Sequence, residues 1–182
     1  MKIGMIGAGN VGGALTHAST RAGHAVTVTA SDPLVILAVP FDAVDGILSE
    51  PKGKLAGKVL VDVTNRFAPE QLNGPSNAEQ IQQKAGDTPV IKAFNTVFAS
   101  HQNDPEADGI ALDGFVAGDD ARAKKAGLQL VESLGFRPID VGPLAMARAL
   151  EGMGTLNIAL NMANEWPWQT GWKLLGPTEP GG

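Results

Sequence analysis

The chain has 182 residues, enough for one ordinary domain with a core of its own and no need of covalent staples. It contains no cysteine and no tyrosine, which excludes disulfides, thiolate metal sites, thiol catalysis and any chemistry that needs a phenol. A net charge of −5 has the wrong sign for a nucleic-acid binder, and the longest apolar run, 33–41, is about half of what a membrane span requires. With no charged and apolar leader, a soluble cytoplasmic protein is expected.

The chain opens as strand, glycine turn, helix, strand. Lys2-Ile3-Gly4-Met5-Ile6 is a short apolar run, followed at once by Gly7-Ala8-Gly9-Asn10-Val11-Gly12. Helix spacing of Val11, Leu15, Ala18 and Ala22 predicts a helix over 10–22, stopped by Gly23. Residues 24–29 alternate and are rich in β-branched side chains, so a second strand is predicted there. Further strands are predicted over 34–38, 58–62, 90–94, 113–117 and 138–141, with helices over 41–48, 77–85 and 120–134. Alternating elements with continuously apolar central strands imply an α/β, Rossmann-type, doubly wound, mostly parallel sheet over residues 1–143. The remainder, 144–182, reads as a C-terminal helix that is apolar almost all round, then a tail carrying Trp166, Trp168 and Trp172. So much apolar surface predicts a homodimer with this helix at its centre and the tryptophan tail over or beside the partner.

Gly7-x-Gly9-x-x-Gly12 is unspecific by itself, but here it follows a strand and opens a helix, the setting of a dinucleotide-binding turn. Gly7 permits the tight turn, Gly9 admits a pyrophosphate, and Gly12 lets helix and strand pack closely. An acidic residue at the tip of the second strand would bind the ribose 2′-hydroxyl of NAD; that tip falls on Ala30-Ser31, which favours NADP, with Ser31 as a donor to the 2′-phosphate. Asp32 argues the other way. It is discounted because Ser31-Asp32-Pro33 is too short for a crossover between parallel strands, which takes a dozen or more residues. Either the strand at Leu34 is an antiparallel hairpin partner, or a segment is missing between Ser31 and Leu34; the second is the expectation, with Asp32 then leading into the later strand.

The segments MKIGMIGAGNVGGAL, LAVPFDAV, GKVLVDVTN, VIKAFNTVFAS, FVAGDD and LGFRPIDVGPL together resemble the NADPH:F-420 oxidoreductase family, to which the oxidoreductase domain of membrane-bound ferric reductases is related. The resemblance implies NADP(H) as cofactor and F-420 or a flavin as the partner ring in hydride transfer. It also implies that Gly7, Ala8, Gly9, Asn10 and Val11 hold the pyrophosphate and Ser31 the 2′-phosphate. Ala38, Val39 and Pro40 would border the nicotinamide ribose. Ala93 and Asn95 would face the nicotinamide, and Thr96 and Val97 the small-molecule hydride acceptor. The sequence departs from the family after Ser31, where basic residues, a helix and another strand usually follow.

No catalytic acid–base constellation and no metal-ligand spacing is present; His101 reads as a surface histidine, and Arg148 with Glu151 as a local helix pair. Hydride transfer between two cofactors needs no such constellation, because the rings carry the chemistry. Two alternatives stand beside it. One is a small imine or hydroxyacid reductase of the pyrroline-5-carboxylate reductase type; the other is a non-catalytic NADP(H)-binding redox sensor.

Overall fold

A computed structural model describes residues 1–49, 55–67 and 73–176. The last six residues of the expected tail therefore lie outside the described residues. Strands β1 (Lys2–Ile6), β2 (Ala25–Thr27), β3 (Leu34–Leu37), β4 (Val59–Asp62), β5 (Val90–Lys92), β8 (Asp113–Gly118) and β9 (Arg137–Asp140) form one sheet in the order β2-β1-β3-β4-β5-β8-β9. All neighbours are parallel except β5 and β8. A two-stranded hairpin, β6 (Glu106–Ala107) and β7 (Ile110–Ala111), precedes the reversed strand.

Period-two alternation sends neighbouring side chains into two cores. Ile3, Met5, Leu34 and Ile36 pack beneath α1 (Asn10–Arg21) and α5 (Ala121–Ser133). On the other face Val35, Leu37 and Leu60 pack beneath α2 (Phe41–Leu48), α3 (Asn77–Ala85) and the start of α6 (Ala147–Asn164). Helix α3 starts on a capping box, Ser76 with Glu79, as its sequence requires. Helix α4 (Ala99–Gln102) is a single turn after β5. The doubly wound, mostly parallel α/β sheet expected from the sequence is the observed fold.

No hairpin forms between Thr27 and Leu34. β2 and β3 lie parallel on opposite sides of β1, joined by residues 28–33 alone. The dozen-residue rule assumes that the chain must return along the length of the sheet. Here Thr27 is level with Gly4 and Leu34 with Ile3, so the link returns by one rung. It need only cross two strand spacings, ~10 Å. It does so over the sheet face at Gly4, where a Cβ would lie 2.1 Å from the Thr29 carbonyl oxygen. Lys58 Nζ fastens the far side, donating to the carbonyls of Ser31 (2.6 Å) and Asp32 (3.3 Å), while Thr27 Oγ1 bonds the Asp32 carboxylate.

One polar reading of the C-terminal helix is corrected. Arg148 and Glu151 do not pair with each other. Arg148 makes two hydrogen bonds to Glu79 of α3 (2.7 and 2.8 Å), which hold that carboxyl down at about 2, and Glu151 turns into the protein. The described part of the tail is tied to the sheet. Asp113 at the start of β8 accepts from Arg137, Lys173 and the Leu174 N–H, and the Asp113 N–H donates to the Trp172 carbonyl. Burial alone would raise the Asp113 carboxyl, but these donors hold it below the ordinary carboxylate value, so the anchor is charged at neutral pH.

Gly4→Ala should lower stability by about 1–3 kcal/mol, because the new methyl group meets backbone rather than a yielding side chain. Urea unfolding measures this; an unchanged midpoint would mean that the link does not cross at Gly4.

Candidate functional site

Four parallel strands, β1, β3, β4 and β5, end on one edge of the sheet, and the segments that follow them meet there. The turn after β1 comes first. Gly7, at φ 114°, lies so close to β3 that a Cβ would meet the Ala38 carbonyl oxygen at 2.0 Å, and a Cβ on Gly12 would meet the Gly7 oxygen at 2.2 Å. Gly9 differs: a Cβ there meets nothing within 4 Å, so its lack of a side chain leaves room outside the protein rather than packing within it. Gly9 is also the N-cap of α1 and no side chain caps that helix, which leaves first-turn N–H groups directed outward.

After β5 the backbone turns sharply. Phe94 adopts a left-handed conformation (φ 62°) while its ring stays in the core against Phe136. Gln102 of α4 holds this turn by donating to the carbonyls of Phe94 and Val97, both at 3.2 Å. The turn delivers Asn95, whose amide nitrogen donates to Asn65 Oδ1 (2.8 Å) and to the Leu150 carbonyl of α6 (2.9 Å). A carbonyl only accepts, so the Leu150 contact fixes which end of the amide is nitrogen. Asn95 Oδ1 is then left buried with no partner among the described residues, an acceptor awaiting a donor.

These segments enclose a cavity of about 610 Å³. Of the residues expected from the sequence, Gly9, Asn10, Val11, Ala38, Val39, Pro40, Asn95, Thr96 and Val97 line it together. Gly7 and Ala8 form the turn behind it, and Ala93 is wholly buried in the core. Ser31 is not brought to it. It lies on the α2 face of the sheet, lining a separate groove of about 700 Å³ with Ala43, Gly46, Ile47 and Lys58. The link over Gly4 carries it there.

Sequence reasoning missed part of the lining: Val63, Thr64 and Asn65 after β4, Phe98, Gly154 and Asn157 of α6, and Trp168 of the tail. The residues after β4 follow the same strand-end rule as those after β3 and were findable by it. The α6 residues were not, since only the tertiary fold brings that helix over the strand ends. Here Gly154 makes room for Asn65, which would sit 2.5 Å from a Cβ at that position. His101, read as a surface histidine, is buried and faces away from the cavity. Its Nε2 lies 2.6 Å from the Gln169 carbonyl and its Nδ1 2.8 Å from that of Asp104.

Behind the cavity floor lies a buried charge cluster. Lys92 of β5, fully buried, donates to Asp62 (2.7 Å), Glu151 (2.9 Å) and the Thr64 carbonyl (2.6 Å). Glu151 also pairs with Arg66 (2.6 Å) and accepts from the first N–H groups of α3, Asn77 and Ala78. Two cations, Lys92 and Arg66, thus meet two carboxylates, Asp62 and Glu151. No titratable side chain lines the cavity among the described residues. Such a surface can bind and orient, but it offers no acid or base for a proton transfer.

No protein-family model matches the chain. Metalloreductase STEAP3 of Rattus norvegicus is 35% identical over 124 residues, 68% of this chain, but the match covers 25% of that protein, so the chain spans about a quarter of that relative's length. The F420-dependent NADP reductase of Methanothermobacter marburgensis is 32% identical over 143 residues, covering 72% of this chain and 63% of that one. A solved structure from Arthrobacter sp. FB24, provisionally described as an F420-dependent NADP-reductase, superposes with a TM-score of 0.85 at 27% identity over 97% of this chain and all of that one. Among the described residues no helix is long and apolar enough to cross a membrane.

Glu151→Gln should cost about 3–5 kcal/mol, since it removes the carboxylate shared by two buried cations. Calorimetry or urea unfolding measures it; a loss near zero would mean that the cluster is wet or unformed. Strand-end geometry, glycine turn and sequence likeness agree, and the chain is similar in sequence and fold to F420-dependent NADP reductases.

Proposed function

We propose that this protein is an NADP(H)-dependent oxidoreductase that passes hydride between NADP(H) and a planar ring, F-420 or a flavin. The carrying observation is a cavity that runs from the glycine turn to the Asn95 segment and is lined without a titratable side chain. An alcohol or imine substrate needs a proton relay at the reacting atom, whereas two stacked rings need only alignment. Bound NADP(H) supplies the hydride. The turn Gly7 to Val11 receives the pyrophosphate in the space left open at Gly9, with the free N–H groups of α1 as donors. Asn95 would face the nicotinamide, with Ala38, Val39 and Pro40 bordering its ribose. Thr96 and Val97 face the acceptor.

Preference for NADP over NAD is supported by the relatives and not by Ser31, which lies in the other groove. Steady-state oxidation of NADPH with F-420, FMN and ferric chelates tests the reading, with NADH as comparison. Turnover with a ring acceptor is expected; NADPH binding without turnover of any acceptor would make the chain a sensor instead. Gly9→Val should abolish nucleotide binding and leave the melting temperature unchanged, because the side chain points into open space. Retained wild-type affinity for NADPH would remove the turn from the site.

The apolar helix supports a homodimer as well. Leu156 and Leu160 of α6 are exposed one turn apart, and a second copy of the same stripe would cover them. Light scattering that gives one chain mass across a concentration series would remove this proposal.

A further inference from the structure

Four described residues other than glycine have a left-handed backbone: Phe94, Asp108, Glu165 and Trp168. Asp108 occupies the tip of the β6–β7 hairpin, Glu165 ends α6, and Phe94 shapes the turn into the site. Trp168 (φ 59°) ends no helix and turns no hairpin. A bulky aromatic residue in this region is a strained outlier that persists only where its surroundings hold it.

The surroundings are explicit. Ser100 Oγ of α4 donates to the Trp168 carbonyl at 2.7 Å, and the buried His101 ring holds the next carbonyl, that of Gln169, at 2.6 Å. Phe98, the N-cap of the same helix, meets the indole edge-on, with ring centroids 5.4 Å apart. What these contacts achieve is placement. The Trp168 indole lines the cavity and remains 44% exposed. It does not serve the core: that part is taken by Trp172, half-buried against Phe115 and Leu150. Helix α4 follows directly from the Asn95–Val97 segment, so one short element positions both the cofactor-facing residues and the indole.

We infer that Trp168 is the wall on which the acceptor ring packs, and that Ser100 and His101 are positioning residues that hold it there. The inference rests on the hydride-transfer reading and adds to it the feature that selects a broad planar acceptor over a small carbonyl or imine. A flat aromatic ligand gains stacking area on the indole, whereas a small compound gains little.

The test uses the full chain, with FMN and F-420 as probes and their own fluorescence as readout, beside an NADPH titration. Trp168→Ala should raise the dissociation constant and KM for the ring probe about tenfold while leaving NADPH affinity unchanged. Trp168→Phe should recover most of that loss. Ser100→Ala should weaken ring binding less, and its effect should vanish in the Trp168→Ala background, because it acts through the indole. Unchanged ring affinity in Trp168→Ala overturns the inference, as does an equal loss for NADPH and ring probe. A wild-type protein that binds neither probe overturns it too. A wild-type protein that binds a probe but does not oxidise NADPH overturns the hydride-transfer reading, while the Trp168 comparison still decides the wall.

Discussion

Glu151 is the residue on which the arrangement depends. A carboxylate with no solvent exposure, it is tied at once to the sheet through Lys92, to the segment after β4 through Arg66, and to the first turn of α3 through two backbone N–H groups. Bringing four charges out of water is expensive, and well-packed apolar side chains would often be no less stable. What the cluster provides is registry. An apolar helix slides or rotates on an apolar surface at small cost, but α6 has one position in which Glu151 meets both cations. That position sets the Leu150 carbonyl against Asn95 and Gly154 against Asn65. The Asn95 amide is therefore held in place through α6 by the charge cluster around Glu151.

Much of this fold is legible in the sequence, and the reasons are local. α2 and α3 begin and end where their turn residues and capping box place them, and the glycine turn announces the first strand and helix. The strand ends line the cavity, as the rule for this architecture expects, and Ala38 and Asn95, which the resemblance implies, lie there. Pairings across the chain are not legible. The Arg148–Glu151 spacing fits a local pair equally well; only the packing of α6 on α3 shows that Glu79 takes one and the buried lysine the other. His101 likewise sits in a polar stretch of sequence, and is buried only because the tail returns over it.

Residues 28–33 form a six-residue strap that crosses the sheet in front of Gly4, which the shortness of β2 allows. The strap takes Ser31 to the α2 face, where Lys58 donates to its carbonyl.

The reversal of β8 has an effect of another kind. Had β8 run parallel to β5, the sheet edge beside the cavity would present a fifth strand end and the loop it leads into. Because it is antiparallel, that edge presents the beginning of a strand, and with it Asp113. A strand start is a fixed mooring where a loop would be loose rope, and the returning tail is made fast to it at Trp172, Lys173 and Leu174. The direction of a single strand thus gives the open side of this fold a rail along which the tail is drawn past the cavity, where Trp168 lines one side.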